Sequence, residues 1–287
     1  MMRLSDTIPV WPPVREQSDA VRKCELAAKL DTIARHLSQK RPKSFPITTT
    51  KPTSAEWRTG KWVLKRDRSS CAEDVKLPHN IAVLDKDMRN LFLNHRYHWL
   101  AQEYMPWLRD VGEWRVIVIG GRVERVIFTN PGPTGDIDFI LVEHFNSLGH
   151  ILWVPNCWPE WNSFCWISVR ELQQQGMDRD AIASGSGGSG EEGRQELWDF
   201  VECWVDRLAT LEEARYGERS SLRVVCRIDV GLLTDERNEL QYFVHEVERG
   251  PNTTLFGRVG VEHLTQVADS FLQEYSKWFK HRSSTIY

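Results

Sequence analysis

Two apolar segments separated by a short polar one constrain the fold of this chain more than any other feature. LRVVCRIDVGLL and LQYFVHEV are rich in the Val, Ile, Phe and Tyr residues that fit a pleated, buried surface. The sequence TDERNE between them has the composition of a turn. The stretch 223–257 therefore predicts two antiparallel strands joined as a hairpin.

Charged residues two positions apart interrupt both predicted strands. Arg227 and Asp229 lie in the first, and Glu246 and Glu248 lie in the second. Because successive side chains of a strand point to opposite faces, the members of each pair share a face. Three carboxylates beside an arginine suit a divalent cation and a polyphosphate, since hard cations such as Mg²⁺ prefer carboxylate and phosphate oxygens. A strand pair whose charges simply face solvent explains the same pattern.

A lysine followed by a polar loop is the second candidate feature. In KWVLKRDRSSCAEDVKLP, the apolar WVL predicts a short buried strand with Lys65 at its end. Ser69 and Ser70 follow, and they are small enough to let the backbone approach a ligand. A lysine in this place can hold a phosphate as a point charge. The alternative is a strand-end lysine in water.

The other segments alternate between helix and sheet patterns. Helical spacing of apolar residues appears over 16–39 and 84–98, in ELWDFVECWVDRLATLEEAR and in VEHLTQVADSFLQEYSKWFK. LAQEYM predicts a strand, and EWRVIVIGG with RVERVIFT predicts a hairpin around a Gly-Gly turn. WVPNCWPEWNSFCW is either a packed aromatic cluster or a pocket for a flat acceptor. These elements predict an α+β chain with two sheets flanking a cleft.

Composition narrows the class of protein. The net charge of -3 gives no sign of a general nucleic-acid binder, and no apolar run approaches the ~20 residues that cross a bilayer. The N-terminus has no apolar segment suited to a secretory signal. The six cysteines are scattered without a CxxC pair, which indicates reduced thiols. We therefore expect a cytoplasmic protein that binds neither nucleic acid nor membrane.

In their order, these segments resemble the ATP-grasp superfamily, and the D-alanine–D-alanine ligases give the clearest match. Four pieces over about residues 61–257 carry the resemblance: VLKRDRSS, AQEYM, GEWRV, and RIDV followed by HEVE. It implies an N-terminal arm and helix over 1–60 and an ATP-grasp domain over 61–287. The fold would be α+β, with two subdomains whose antiparallel sheets enclose a nucleotide cleft. ASGSGGSGEEG, at 183–193, would be a flexible loop, either native or engineered.

The resemblance also implies the residues that bind ATP. Lys65 would hold the phosphates, and Ser69 and Ser70 would lie in the loop that closes over them. Glu113 would hold the ribose hydroxyls. A hinge whose backbone contacts the adenine edge would be formed by three consecutive residues, Glu103, Tyr104 and Met105.

A magnesium site and a catalytic arginine complete the implied site. Asp229, Glu246 and Glu248 would bind Mg²⁺, with Glu248 in the place where the family has asparagine. Arg227 would stabilise the transferring group, with Lys65 as the second catalytic cation. Arg115 either reaches the same cleft or lies on the surface.

The resemblance implies an ADP-forming ligase. A substrate carboxylate would attack ATP to give an acyl phosphate, which an amine would capture to form an amide. The carboxylate and amine substrates are not identified by the sequence. Two alternatives stay open: an ATP-grasp kinase, and an ATP-binding assembly chaperone with a protein partner, similar to the cell-division-cycle proteins that help build translation initiation factor 2.

Overall fold

The computed structural model of the chain describes residues 11–20, 22–47, 61–68, 75–77, 98–110, 112–131, 137–144, 190–234, 240–249, 253 and 261–285. Several predicted features lie outside these residues: Ser69, Ser70, nearly all of the helix over 84–98, the tryptophan-rich segment, and 183–189 of the Gly/Ser loop. The chain divides into two compact units, Arg15–Pro106 and a second one made of Met1–Val14 with Trp107–Tyr287.

The unit Arg15–Pro106 contains helices and a four-stranded antiparallel sheet. Its helices are α1 (Val14–Ala20), which starts one residue before the unit, and α2 (Lys23–His36). Its strands are β1 (Ser44–Ile47), β2 (Trp62–Arg66), β3 (Val75–Lys76) and β4 (Trp99–Glu103), in the order β1-β4-β2-β3. The predicted domain boundary between residues 60 and 61 falls inside this unit, because α2 packs on β1 and β4.

The single helix predicted over 16–39 is wrong, since two helices occupy this region. Arg22 is extended, with φ -92° and ψ 92°, and α2 starts afresh after it. The Asp67 carboxylate, which follows β2, accepts a hydrogen bond of 3.0 Å from the backbone N–H of Cys24. A first-turn N–H of α2 is therefore satisfied by a residue distant in sequence, which a local helical pattern does not reveal.

The second unit is built on a five-stranded antiparallel sheet. Its strands are β5 (Glu113–Ile119), β6 (Arg122–Pro131), β7 (Ile137–His144), β8 (Val225–Thr234) and β9 (Leu240–Glu248), in the order β7-β6-β5-β8-β9. The accompanying helices are α3 (Pro106–Asp110), α4 (Gly190–Tyr216) and α5 (Val261–Thr285), with a 3-10 turn at Ser221–Arg223. The predicted α+β class with two antiparallel sheets is confirmed.

Both predicted hairpins of this unit are present. β5 and β6 join through Gly120 and Gly121, whose φ angles of 62° and 80° lie in the left-handed region that a two-residue hairpin turn requires. β8 and β9 pair antiparallel along their length. Pairing of β5 with β8 joins the two hairpins into one sheet.

Helix α4 covers one face of this sheet. Its buried apolar residues include Leu197, Val201, Trp204, Val205 and Leu208. Phe200 contacts Tyr242 of β9, with the ring centroids 5.4 Å apart. α4 begins at Gly190 and thus inside the segment predicted as a flexible loop over 183–193.

Helix α5 and the start of the chain pack on the opposite face of the sheet. Ile117, Ile119 and Val225 form an apolar cluster there, against which Trp11 and Phe271 pack. In the described parts of the chain, no helix combines the length and apolar character needed to cross a bilayer.

Candidate functional site

Three neighbouring strands bring charged side chains to the face of the sheet that lies away from α4. Arg115 of β5 is opposite Asp229 of β8, Asp229 is opposite Glu246 of β9, and Arg227 is opposite Glu248. Side chains at paired positions point the same way, as do residues two apart on a strand. Among the described residues of these three strands, we call the following group the charged face: Glu113, Arg115, Arg227, Asp229, Glu246 and Glu248.

A β-bulge in β9 makes this shared face possible. Val230 pairs with Val244, whereas Asp229 pairs with Glu246, so His245 is an extra residue in β9. In a regular strand Val244 and Glu246 would share a face. The bulge instead directs Val244 to the buried side and Glu246 to the charged face. Glu246 and Glu248 share a face because they are two residues apart, but the side of the sheet to which they point depends on this bulge, which the sequence pattern does not show.

Two arginines of the charged face each bind a carboxylate on their own strand. Arg227 Nε and Nη2 donate to the two oxygens of Asp229 over 2.7 Å and 2.8 Å, and both side chains are buried, with 8% and 2% of their surface exposed. Arg115 Nη2 lies 2.7 Å from Glu113 Oε1, and its Nε donates to the same oxygen. Both ion pairs hold their side chains on one face of the sheet.

Negative charge is in excess on this face. Four carboxylates outnumber the two guanidinium groups, and they still do when Arg125, a buried arginine of the neighbouring strand β6, is included. Burial, together with the Asp229 and Glu246 carboxylates, raises the pKa of Glu113 to about 7 against the opposing effect of Arg115. Burial also raises the pKa of Asp229, with Glu246 adding to the rise and Arg227 and Arg115 opposing it.

Burial and the surrounding carboxylates act in opposite directions on the pKa of Arg227. Burial works to lower it, but the carboxylates of Asp229, Glu248 and Glu246 outweigh burial, so this pKa lies above its ordinary value. Arg227 is thus a permanent cation among carboxylates. Because the carboxylates are in excess, a divalent cation would lower the electrostatic free energy of this face.

The chemistry of the charged face fits a magnesium ion that shares its coordination with a ligand. Within the described parts of the chain, no three carboxylate, histidine or cysteine side chains converge on one point as a complete metal cage. Mg²⁺ commonly uses only one or two protein carboxylates and completes its shell with water and phosphate oxygens. Glu246 and Glu248 are half-buried and lie on this face, so their oxygens are of the type this ion prefers.

Apolar contacts border the charged face at both ends. Gly231, two residues beyond Asp229, faces Leu108 and Phe243 so closely that a Cβ there would lie 2.7 Å from Leu108 Cδ2. At the other end, Trp11 and Phe271 cover the cluster that contains Ile117. Such borders exclude water and strengthen the electrostatic interactions between them.

The predicted phosphate lysine and adenine hinge belong to the other compact unit. Lys65 lies inside β2 and not at its end, half-buried and paired with Leu100 and Val75. Glu103 is the last residue of β4, and its carboxylate accepts a hydrogen bond of 3.1 Å from the backbone N–H of Lys43.

The backbone of the hinge is tied to neighbouring segments. The N–H groups of Glu103 and Tyr104 donate to the carbonyls of Lys43 and Lys61, over 2.8 Å and 2.7 Å. Met105 follows, half-buried. The nucleotide-binding roles of this segment and of Lys65 stay predictions.

Comparison with known proteins gives similarity at the level of structure. No family model matches the chain, and no curated protein matches its sequence. D-cycloserine synthetase shares 15% identity, with 89% of this chain and 71% of that chain covered and a TM-score of 0.49. D-alanine–D-alanine ligase from Bacillus anthracis shares 12% identity over 92% of this chain and 70% of its own, with a TM-score of 0.46.

A third similar structure is the ATP-grasp ligase PsnB in complex with a minimal precursor, Mg and ADP. It shares 11% identity over 94% of this chain and 63% of its own length, with a TM-score of 0.45. Similarity this distant concerns the fold alone, and function has to be argued from the site.

The resemblance named Glu113 as the ribose residue and left open whether Arg115 reaches the cleft, but it did not indicate that both lie beside Asp229. Glu113 lies beside Arg115, and its pKa responds to Asp229 and Glu246. The alternation in GEWRV already places Glu113 and Arg115 on one face. Their approach to Asp229 depends on the pairing of β5 with β8, two strands more than a hundred residues apart in sequence, for which the sequence contains no local signal.

Proposed function

We propose that the chain binds Mg²⁺ and ATP through the charged face and forms a bond between a carboxylate and an amine, releasing ADP and phosphate. The observation that supports this proposal is the gathering of four carboxylates and two arginines on one face by the register of β5, β8 and β9. Surface charges scattered on solvent-facing strands would not include a buried, bidentate Arg–Asp pair.

Each residue of the charged face has a role in this proposal. Glu246 and Glu248, with Asp229, would hold Mg²⁺. The cation supplies neutralisation of the phosphate charge, which otherwise repels a substrate carboxylate. Arg227 and Arg115 would donate hydrogen bonds to anionic oxygens of the transferring phosphoryl group and of the tetrahedral adduct.

The remaining predicted residues complete the nucleotide site in the proposal. Lys65 would hold the phosphates, Ser69 and Ser70 would lie over them, and Glu113 would hold the ribose. The adenine would contact the hinge formed by Glu103, Tyr104 and Met105. We assign residues 61–287 to the ATP-grasp part and residues 1–60 to a reduced N-terminal region. We also propose that the protein is cytoplasmic.

The reaction would proceed in two balanced steps. A carboxylate oxygen of the substrate attacks the γ-phosphorus of ATP, the bond to the bridging oxygen breaks, and ADP leaves. An amine nitrogen then attacks the acyl phosphate carbon, the C–O bond to phosphate breaks, and the amine loses a proton as the amide forms. Exclusion of water from the site protects the acyl phosphate from hydrolysis.

ADP release in a screen of amino acids and other carboxylic acids, each with amines, tests the proposal. We expect turnover with one pair, loss of at least about 100-fold in Glu246→Gln, and no loss in the control Glu196→Gln. Glu196 is an exposed carboxylate on α4, which packs on the other face of the sheet. Equal activity of Glu246→Gln and the parent would exclude the metal-binding role.

Two other outcomes of the screen identify the alternatives. ADP release that depends on a hydroxyl acceptor and yields a phosphate ester indicates a kinase. Binding of ATP without turnover, together with one co-purifying protein, indicates an assembly chaperone. Either outcome excludes the ligase activity but leaves the proposed ATP-binding site in place.

A further inference from the structure

A buried ion pair lies immediately behind the strand end that carries Glu246 and Glu248. Arg249, the residue after Glu248, donates from Nη2 and Nη1 to the two oxygens of Glu212 on α4, over 2.9 Å and 3.0 Å. Only 4% and 2% of these two side chains is exposed. A bidentate pair of this kind fixes the orientation as well as the distance of its partners.

Hydroxyl groups from the 3-10 turn extend this pair into a network. Ser220 Oγ donates to Glu212 Oε2 over 2.9 Å, and Arg249 Nη1 donates to Ser221 Oγ over 3.4 Å. The turn leads directly into β8. Helix α4, the start of β8 and the end of β9 therefore meet at one buried polar cluster, which we call the Arg249 clamp (Glu212, Ser220, Ser221 and Arg249).

The clamp lies on the side of the sheet opposite the charged face. Val247 is buried and Glu248 belongs to the charged face, so the next side chain, Arg249, points back toward α4. The charges of the clamp also act on Cys226 of β8, the neighbour of Arg227. Burial raises the pKa of the Cys226 thiol to about 12, Arg249 opposes this rise and Glu212 adds to it. The clamp therefore anchors the strand ends that carry Arg227 and Glu248 from the opposite face of the sheet.

We propose that Arg249 and Glu212 are positioning residues for the metal carboxylates of β9, so that the clamp sets the affinity of the charged face for Mg²⁺–nucleotide. This inference rests on the proposed function. A buried ion pair adds little to stability compared with an apolar pair of similar volume, and in some proteins it specifies one arrangement of its partners. Groups that orient metal ligands change metal affinity by about 10–100-fold when they are replaced.

Calorimetric titration with ATP, with and without MgCl₂, tests the clamp. The measured quantity is the Mg²⁺ gain, the ratio of the Kd for ATP without Mg²⁺ to that with it. We expect Arg249→Lys to lower the gain by about tenfold and to change Mg²⁺-free affinity by less than about twofold. Lysine keeps the charge but loses the bidentate geometry.

Arg223→Lys is the matched control. Arg223 makes the same kind of pair with Glu213, the next residue of α4, over 2.8 Å and 3.1 Å, but it precedes β8 and its other hydrogen bonds go to Asp206 and Thr210 of the same helix. Its Mg²⁺ gain should equal that of the parent. Equal loss in both variants, or a parent-like gain in Arg249→Lys, overturns the proposal.

A second variant covers the case in which Arg249→Lys does not fold. Arg249→Met combined with Glu212→Leu replaces the pair with apolar side chains of similar volume, which proteins tolerate well. We expect this variant to fold, by its circular dichroism spectrum, and to lose the Mg²⁺ gain. A folded double variant that keeps the Mg²⁺ gain of the parent overturns only the proposed positioning role of the clamp. A parent without any Mg²⁺ gain overturns the proposed function as well.

Discussion

Arg227 donates hydrogen bonds to both carboxylate oxygens of Asp229, two residues further along the same strand, and almost none of either side chain is exposed. The pair places a fixed positive charge beside the carboxylates of β9, because Asp229 is opposite Glu246 and Arg227 is opposite Glu248. The same residues therefore determine the stability of the sheet and the electrostatics of the site.

Replacement of Asp229 should destabilise the protein strongly. Asp229→Asn removes one of the three carboxylates that act on the buried Arg227 guanidinium, and loss of one partner of a buried pair costs up to about 3–5 kcal/mol. Urea unfolding followed by circular dichroism measures this. The control is Asp206→Asn, which removes a 62%-exposed partner of Arg223 and should cost less than about 1 kcal/mol. Equal losses in the two variants would show that the Arg227 pair is not buried in solution.

Glu113 should make stability fall as the pH rises toward neutrality. Its pKa of about 7 in the folded state lies above its ordinary value of 4.5. The folded state therefore holds the proton more tightly, and this stabilisation is present below about pH 4.5 and lost by about pH 7. The difference amounts to about 3 kcal/mol.

Comparison of Glu113→Gln with the parent isolates this effect. Urea unfolding of both proteins at about pH 5 and about pH 8 gives two free energies of unfolding for each. We expect the parent to lose stability relative to Glu113→Gln at the higher pH. A gain, or the same change in both proteins, would mean that burial does not raise this pKa.

Replacement of Gly231 by a larger residue should lower the stability of the protein. A Cβ at this position would lie 2.7 Å from Leu108 and 2.8 Å from the ring of Phe243. Gly231→Ala should cost about 1–3 kcal/mol by overpacking. Gly121→Ala is the control that separates overpacking from backbone strain. Gly121 has a φ of 80°, and an added Cβ would lie in open space, so this substitution should cost about 1 kcal/mol through backbone strain alone. Thermal unfolding of both variants provides the comparison, and an unchanged Tm for Gly231→Ala would contradict the contact.

The sequence predicted local features of the fold better than it predicted the site. Alternation and turn residues identified the β5–β6 and β8–β9 hairpins, because these signals act between neighbours in the chain. The helix break at Arg22 was missed, because Asp67, which caps α2, comes from a distant segment. The bulge at His245 leaves no mark in the hydrophobic pattern, although the orientation of Glu246 depends on it.

The site itself is a product of tertiary contacts. The resemblance indicated Arg227, Asp229, Glu246 and Glu248 as one group, and the register places them on one face. The Arg249 clamp was not predicted, because a buried ion pair between a helix and a strand end is indistinguishable in sequence from two exposed charges.

Trp11 should contribute to the stability of the second unit. Its ring lies 5.1 Å from that of Phe271 in an edge-on contact and 6.2 Å from that of Tyr275. Trp11→Ala removes this cover from the cluster that includes Ile117 and should cost roughly 2–3 kcal/mol, somewhat less than a fully buried tryptophan. Urea unfolding measures the loss.

Phe45→Ala provides the comparison for Trp11. Phe45 belongs to the sheet of the other compact unit, where it is 41% exposed and contacts the ring of Trp62. Its replacement by alanine should therefore cost about 1 kcal/mol. A smaller loss for Trp11→Ala than for Phe45→Ala would show that the chain start does not pack on α5 in solution.

Calorimetric titration of ATP in the presence and absence of MgCl₂ tests the role of the charged face most directly. We expect the parent to bind ATP more tightly with Mg²⁺, Glu246→Gln to lose most of this gain, and Glu196→Gln to retain it. An ATP affinity of the parent that does not change with Mg²⁺, or a gain that survives in Glu246→Gln, would exclude Mg²⁺ binding by the charged face.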